Sequence, residues 1–337
     1  MSFDQQVQLK ALDLVQLNIE ICNSAGAGHP STGASLADLL TVLCYRVMRW
    51  NPKEPDSRFS DRLVLSEGHA CPIVYAIAAD LGVTLLDNGK SRAMTVDDAH
   101  TLRALTSPID GHPNPAVGFP FWAAATGSLG QGLSVALGYA AAAKLDGISR
   151  RIFCFIGDGE SREGQIWEAL DFMVDHGLVS VCPVFNCNQW GQASPVSYQQ
   201  SAERLVEKLE SYGLQTALID GHNPSAILHA YEQHAKSMRN GQAFAIVART
   251  IKMYGVPSLY QTNLHGKPIP DVESAVNEIH DIKKSIGRCD PIAFTSPSPD
   301  ATSPEISFDT VPLVKSFKTL CENEGEQNLT KISTRNG

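Results

Sequence analysis

Short apolar runs alternate with helical patterns along most of this 337-residue chain. Several of the runs are bounded by glycine, which is typical of buried strands. The expected strands are 62–65, 152–156, 179–185, 216–219 and 244–248. Apolar residues spaced three or four positions apart predict helices before and between these strands, over 9–21, 35–49, 72–81, 133–143, 203–212 and 225–236. This alternation predicts an α/β fold that is doubly wound, with a mainly parallel sheet and helices on both faces.

Polar residues follow two of the expected strands. Gly157-Asp158-Gly159 comes directly after strand 152–156, and Asn188 follows strand 179–185. The flanking glycines allow a sharp turn and a close approach to a ligand, and parallel strands open onto one crevice at their carboxyl ends. Carboxylate and amide oxygens suit Mg²⁺ or Ca²⁺, and Mg²⁺ takes further oxygens from phosphates. These residues predict a metal-anchored diphosphate site; the alternative for a lone Gly-Asp-Gly is an ordinary tight turn.

A glycine-rich stretch, residues 126–132, leads into the expected helix 133–143. Free backbone N–H groups and the helix dipole make such a helix start suitable for an anion such as phosphate. The stretch does not match G-x-G-x-x-G with a later acidic residue, which disfavours a dinucleotide-binding fold.

Histidines next to glycine recur in the expected loops. Four of them could line one edge of the sheet: His29, His69, His112 and His265. Imidazole titrates near neutral pH, so such a cluster suits proton transfer with substrate hydroxyls. By contrast, His222 and His176 are interpreted as turn or cap residues. Lys252, just after the last strand, is a candidate phosphate ligand; if it stood alone, it would be taken as an ordinary surface lysine.

Composition excludes several classes of protein. The net charge of −9 and the isoelectric point near 5.6 argue against a nucleic-acid partner. The eight cysteines contain no C-x-x-C pair, which favours reduced, buried thiols over a disulfide framework or a zinc site. The N-terminus does not resemble a signal peptide, and no apolar run approaches about 18 residues. We therefore expect a cytoplasmic protein without a membrane partner.

The composition changes near residue 283. Residues 290–304 are rich in serine, proline and threonine and lack periodicity, which is typical of a linker. We predict one large α/β domain over residues 1–282, followed by a linker and tail over 283–337.

Seven motifs resemble, in order and spacing, the thiamine-diphosphate half of transketolase, most closely the animal-type enzymes: GAGHPST, SEGHA, DGHPNP, TGSLGQG, GDGESREGQIWEAL, NCNQWGQ and LHGKP. The resemblance implies a diphosphate-type thiamine-diphosphate-binding fold. It also implies transfer of a two-carbon ketol unit from a ketose phosphate to an aldose phosphate, as in the pentose phosphate pathway. The implied cofactors are thiamine diphosphate and Mg²⁺ or Ca²⁺.

The resemblance also implies roles for individual residues. The implied metal ligands are Asp158, Asn188 and the backbone carbonyl of Trp190. The implied catalytic residues, which bind the ketose and move its protons, are His29, His112 and His265. The implied cofactor-binding residues are Thr32, His69, Gly127, Ser128, Leu129, Gly159, Glu163, Asn188, Gln192, Lys252 and His265. Within that set, Glu163 matches the glutamate that links two active sites across a dimer interface. Thr32 replaces a serine and keeps the hydroxyl, whereas Glu67 stands where the animal-type motif has lysine.

The resemblance also implies that this chain acts together with a partner chain. In this family the carboxylate that activates the cofactor belongs to a second, pyrimidine-binding domain. Residues 331–335 resemble the start of that domain, where this sequence ends. We therefore expect a partner carrying the pyrimidine-binding and C-terminal domains, together with self-association through the diphosphate domain. The alternatives are a related thiamine-diphosphate enzyme that acts on a 2-oxo acid, suggested by Asn186-Cys187-Asn188, and a non-catalytic cofactor-binding or scaffold fragment.

Overall fold

The computed structural model describes residues 2–87, 89–260, 262 and 264–299. The helices of this part are α1 (Phe3–Ser24), α2 (Pro30–Val42), α3 (Cys71–Leu81), α4 (Val96–Ala99), α5 (Gln131–Leu145), α6 (Gly164–Asp175), α7 (Ala202–Ser211), α8 (Pro224–Arg239) and α9 (Val272–Ile286). The strands are β1 (Arg62–Leu65), β2 (Thr84–Asp87), β3 (Lys90–Ala93), β4 (Ile152–Gly157), β5 (Val181–Cys187), β6 (Gln215–Asp220) and β7 (Phe244–Arg249).

Five strands form one parallel sheet in the order β1-β4-β5-β7-β6. The register of the central pair places Gly157 of β4 opposite Asn186 of β5. Since both strands run in the same direction, Asp158 and Asn188 emerge at the same edge of the sheet. The predicted mainly parallel α/β fold is therefore confirmed.

Helices cover both faces of this sheet. Successive side chains of a strand point to opposite faces, and β4 follows that rule with apolar residues on both sides. Phe153 and Phe155 belong to the core formed with α1, α2, α3 and α8. Ile152, Cys154 and Ile156 belong to a second core, formed with α5, α6 and α7. Burial on both faces explains why the strands appear as continuous apolar runs in the sequence.

The sequence prediction missed β2 and β3, together with the helices α4 and α9. Residues 84–107 look irregular in sequence, but β2 and β3 pair there as an antiparallel two-stranded sheet. All four residues of β3 are exposed, so no apolar alternation marks the strand. The expected helix 9–21 is also longer, because Ser2 and Gln5 form a capping box that starts α1 at Phe3.

The stretch after α9 attaches to the α/β domain. The Ile292 N–H donates to the Gln6 carbonyl (3.0 Å), and the Thr295 N–H donates to the Tyr45 carbonyl (3.0 Å). Phe294 packs edge-on against Trp50, with ring centroids 5.9 Å apart. Apolar side chains within the serine- and proline-rich stretch thus fix it to the core. The tail from residue 300 onward lies outside the described residues, so the division at residue 283 stays a prediction.

The described cysteines are all unpaired, and six of these seven are buried. Within the same part of the chain, no helix combines the length and the apolar character that crossing a bilayer requires.

Two glycines of α5 provide a test of how this helix packs against the sheet. An ideal Cβ at Gly132 would lie 2.4 Å from the Cβ of Ser66, whereas one at Gly138 would meet nothing within 4 Å. We expect Gly132→Ala to lower the free energy of unfolding by about 2 kcal/mol through overpacking. Gly138→Ala should instead raise it, by up to about 1 kcal/mol, through helix propensity. Urea denaturation measures both, and equal effects would contradict the packing described here.

Candidate active site

A cleft of about 720 Å³ lies at the carboxyl edge of the sheet. Most of the predicted site residues line it: His29, Thr32, His69, His112, Gly127, Leu129, Asp158, Gly159, Asn188, Trp190, Gln192 and His265. They come from loops that follow different strands or precede different helices. The fold therefore brings together groups that are far apart in sequence.

Asp158 is held rigidly where β4 ends. One carboxylate oxygen accepts from the Gly159 N–H (2.7 Å), and the other accepts from the Gln189 N–H (2.6 Å). Gln189 has a φ of 68°, an uncommon left-handed conformation for a residue other than glycine. The Oδ1 of neighbouring Asn188 accepts from the Trp190 N–H (3.0 Å). The Asp158 carboxylate thus joins the two loops, and the Asn188 side chain is held within the loop after β5.

The glycines around Asp158 do not play the conformational role expected of them. Neither Gly157 nor Gly159 has a positive φ, and Gly159 lies in the right-handed helical region. A Cβ at either position would have room, the nearest atoms being 3.4 and 3.5 Å away. The turn after β4 therefore does not require the conformational freedom of glycine.

Glu160 supports this turn, a role that the sequence reasoning missed. Its side chain is buried and accepts hydrogen bonds from the backbone N–H groups of Gly130 (2.8 Å) and Gly157 (3.0 Å), and from the Ser66 hydroxyl. One carboxylate thereby joins the ends of β1 and β4 to the start of α5. The available signal was a glutamate directly after Gly-Asp-Gly, but two of its three partners, Gly130 and Ser66, lie 30 and 94 positions away.

Four histidines form a cluster on one side of the cleft. The ring of His29 lies 4.7 Å from that of His69, 4.8 Å from that of His265 and 6.5 Å from that of His112, centroid to centroid. The rings of His69 and His265 are 5.0 Å apart. Gly127 permits the approach of His112, because a Cβ there would lie 2.6 Å from its ring.

Burial keeps these imidazoles uncharged. It lowers the pKa of His29 to about 3, helped by the positive charges that His265, His112 and Lys252 would carry. Burial likewise lowers the pKa of His265 to about 4, with a further contribution from Lys252. The pKa values of His69 and His112 are also lowered, mainly by burial. Near neutral pH each ring can therefore both donate and accept a hydrogen bond.

Lys252 connects the histidine cluster to the end of the cleft that contains Asp158. Its side chain is buried, and its Nζ lies 3.2 Å from Nδ1 of His265. Burial lowers its pKa to about 8, against the opposing influence of Asp158 and Glu67. The interpretation as an ordinary surface lysine is therefore wrong.

Glu67 lies among buried polar groups beside the cleft. Its carboxylate accepts from Nδ2 of Asn186 (3.1 Å), which also donates to the Ser35 hydroxyl (3.0 Å). Oδ1 of the same Asn186 side chain accepts from the Thr250 hydroxyl (2.6 Å). Burial raises the pKa of Glu67 well above its usual range, and the nearby carboxylate of Glu160 adds to this. The raised pKa favours the uncharged form, so Glu67, which stands where the animal-type motif has lysine, does not place a full negative charge next to His69.

Three predicted site residues are not part of the cleft lining. One is Lys252, described above, and the other two are Ser128 and Glu163. Ser128 is exposed at the start of the glycine-rich turn. Glu163 is exposed too, and a Cβ added at Gly130 would lie 2.6 Å from the Cβ of Glu163. Neither residue is part of the cleft lining of a single chain.

Several features of the cleft fit a metal-bound diphosphate. The Thr32 hydroxyl is buried at the cleft and has no hydrogen-bond partner among the described residues. In that part of the chain, no three His, Cys, Asp or Glu side chains converge as a metal site. The expected ligand set needs only one carboxylate, together with an amide and a carbonyl oxygen. Such a set leaves coordination positions for phosphate and water, as Mg²⁺ prefers.

Comparison with known proteins decides the family. The family model described as "Transketolase, thiamine diphosphate binding domain" matches residues 7–298. This chain belongs to the transketolase family. Curated transketolases similar to it include the Mus musculus enzyme, 35% identical over 305 residues, and Transketolase-like protein 2 of Bos taurus, 38% identical over 265 residues. These alignments cover 89% and 78% of the chain but only 46% and 40% of the relatives. The chain thus spans less than half the length of either relative.

A third relative has a length closer to that of this chain. The "6-deoxy-6-sulfo-D-fructose transketolase subunit SqwG" of Clostridium sp. (strain MSTE9) is 34% identical over 257 residues, which cover 75% of this chain and 88% of that protein. Among solved structures, transketolase of Campylobacter jejuni matches with a TM-score of 0.71 at 29% identity, over 88% of this chain and 45% of that one. Transketolase of Leishmania mexicana matches at 24% identity with a TM-score of 0.70, which supports the fold alone.

The lowered histidine pKa values predict a loss of stability in mild acid. Unfolded histidines take up protons near pH 6.5, whereas folded His29 and His265 resist protonation to about pH 3 and 4. The unfolded state therefore binds more protons below pH 6.5, and the free energy of unfolding falls as pH decreases toward 4. We expect His29→Gln to remove about 2 kcal/mol of the loss between pH 7 and 5. Urea denaturation at both pH values tests this, with the exposed His229→Gln as the control. If the free energy of unfolding changed equally between pH 7 and 5 in the two variants, the prediction would be contradicted.

The contact between Lys252 and His265 predicts a titration effect. The positive charge of Lys252 lowers the pKa of His265, so Lys252→Met should raise that pKa from about 4, while burial keeps it below 6.5. Two-dimensional NMR of the imidazole resonances measures the change. Lys284→Met, which removes a lysine whose side chain is 78% exposed, should leave the titration unaltered. An unchanged His265 titration in Lys252→Met would contradict the contact.

Proposed function

We propose that this chain is the diphosphate-binding half of a transketolase, one that transfers a two-carbon ketol unit from a ketose phosphate to an aldose phosphate. In this proposal the chain acts with thiamine diphosphate and requires a partner chain for full activity. One observation carries the proposal. The Asp158–Asn188 pair and the cluster of four histidines open onto the same cleft.

The end of the cleft at Asp158 is the proposed diphosphate site. Asp158, Asn188 and the Trp190 carbonyl would hold Mg²⁺ or Ca²⁺, and the backbone of Gly159 would contact the diphosphate. Lys252 would contribute a positive charge there, and Thr32, whose buried hydroxyl has no partner among the described residues, would contribute a hydrogen bond. Thiamine diphosphate, when bound, supplies the electron sink for breaking and forming the carbon–carbon bond. Support comes from the hydrogen bonds that fix the Asp158 carboxylate before any ligand arrives.

The histidine cluster is the proposed site for the sugar. Neutral imidazoles of His29, His112 and His265 would bind ketose hydroxyls and transfer protons at the reacting oxygens. Their lowered pKa values support binding of the sugar, since each neutral ring has one nitrogen free to accept a hydrogen bond from a hydroxyl. His69 packs between two of these rings, and the proposal assigns it to the cofactor.

The proposed partner carries the pyrimidine-binding and C-terminal domains of transketolase. Two facts support it. The chain covers only 46% of the mouse transketolase, whereas it covers 88% of a relative whose name describes a subunit. We also propose self-association through the diphosphate domain. The exposure of Glu163 in a single chain supports this, because the side chain is available to a second copy.

Reconstitution tests the need for a partner. The purified chain should show no ketol transfer alone, and activity should appear on mixing with a chain that carries the other two domains. Xylulose 5-phosphate and pyruvate, assayed as alternative donors, separate ketol transfer from 2-oxo acid chemistry. Activity of the chain alone would contradict the split arrangement. Absence of turnover with either donor after mixing would favour the non-catalytic fragment.

Replacement of the predicted metal ligand tests the diphosphate site. Asp158→Asn keeps the shape of the side chain but removes the charge that attracts the ion. We expect it to weaken Mg²⁺-dependent binding of thiamine diphosphate by more than about tenfold, as measured by titration calorimetry. Removing the ion with EDTA should have a similar effect on the unmodified chain. Exposed Asp171→Asn is the control, and thermal unfolding without ligand shows whether a variant is folded. Undiminished binding in folded Asp158→Asn would contradict the site.

A further inference from the structure

His222 lies in a turn, as its sequence position predicts, but its ring is buried and contacts two other parts of the fold. It is 8% exposed, and its Nδ1 lies 2.9 Å from Oδ2 of Asp38 on α2. Its Nε2 accepts the backbone N–H of Ile251 at 2.8 Å. A backbone N–H can only donate, so Nε2 is unprotonated and the ring proton is on Nδ1, where it is donated to Asp38. The ring thus connects α2 to the residue immediately before Lys252.

The segment around Lys252 is fixed at several points. Before it, the Thr250 hydroxyl donates to Oδ1 of Asn186 (2.6 Å); after it, the Met253 N–H donates to the Ser31 carbonyl (3.1 Å). Met253 has a φ of 64°, which costs energy in a residue other than glycine. Tyr254 stacks on the His222 ring, with centroids 3.5 Å apart and planes 13° from parallel. The His222 ring is therefore held by Asp38 and Tyr254 while it holds Ile251.

We propose that His222 is a positioning residue for Lys252. The hydrogen bonds that His222 donates to Asp38 and accepts from the Ile251 N–H set the backbone from which the Lys252 side chain extends. That setting places Nζ 3.2 Å from His265 and near the Asp158 end of the cleft. The inference rests on the proposed function to the extent that it assigns Lys252 to the diphosphate.

A purely structural role is the competing explanation. Asp38 is 1% exposed, and among the described residues its Oδ1 has no hydrogen-bond partner. His222 is thus the side chain that stabilises this buried carboxylate. If that were its whole purpose, the nitrogen facing Asp38 would matter and the one facing Ile251 would not.

Two substitutions separate the roles of the two ring nitrogens. The amide of Gln occupies nearly the position of Nε2, so His222→Gln keeps an acceptor for the Ile251 N–H and loses the donor to Asp38. The amide of Asn occupies nearly the position of Nδ1, so His222→Asn keeps the donor to Asp38 and loses the acceptor. Positioning of Lys252 predicts that Asn is the damaging replacement, whereas a purely structural role predicts that Gln is.

Binding of inorganic diphosphate with Mg²⁺, followed by titration calorimetry on the full chain, is the first measurement. We expect His222→Asn to weaken it about tenfold, the size of one well-placed hydrogen bond, and His222→Gln to change it less than about threefold. In a Lys252→Met background, His222→Asn should have no further effect, because the histidine acts through the lysine. Equal losses in both variants, or a larger loss in His222→Gln, would overturn the inference.

Two NMR measurements make the test independent of ligand binding. In the unmodified chain, long-range ¹H–¹⁵N spectra should show His222 protonated on Nδ1; protonation on Nε2 would overturn the inference even if the variants failed to fold. In His222→Asn, loosening of Lys252 should raise the pKa of His265, and His222→Gln should leave it unchanged. An unmodified chain that binds no Mg²⁺-diphosphate would overturn the proposed function, while the His265 titration would still decide the positioning role.

Discussion

The parallel pairing of β4 with β5 is the constraint on which the rest of the site depends. Its register sets Gly157 opposite Asn186, so Asp158, just after β4, and the loop that follows β5 meet at one edge of the sheet. There the carboxylate of Asp158 accepts hydrogen bonds from backbone N–H groups of both loops. A shift of one residue would move these side chains to the opposite face of the sheet. The buried apolar residues on both faces of β4 fix the register.

Around this pair, burial determines the charge of each group. It lowers the pKa values of the clustered histidines and keeps their rings uncharged, while it raises the pKa of Glu67. Lys252, with its pKa lowered to about 8, still carries its proton near neutral pH. The cleft therefore combines neutral imidazoles at one end with an anchored carboxylate at the other, and the Lys252 cation lies between them. Such a separation suits a diphosphate at one end and sugar hydroxyl groups at the other.

The sequence predicts this fold well where burial leaves a pattern. β1 occupies the predicted residues, and β4 and β7 each extend one residue beyond them, because strands buried on both faces appear as apolar runs. The hairpin of β2 and β3 was missed, since an exposed strand leaves no such pattern. Most predicted site residues line one cleft because they lie after strands or at the starts of helices, and in a parallel sheet these segments share the carboxyl edge. Residues whose role depends on a distant partner escaped prediction: Asp38 and His222 are 184 positions apart.

The central claim is that the Asp158 end of this cleft holds the metal and diphosphate of thiamine diphosphate. A crystal structure of the chain grown with thiamine diphosphate and Ca²⁺ tests it most directly. We expect an ion coordinated at about 2.3–2.6 Å by Asp158, Asn188 and the Trp190 carbonyl, with the diphosphate completing its coordination. A cofactor bound elsewhere, or an ion whose ligands do not include Asp158, would contradict it.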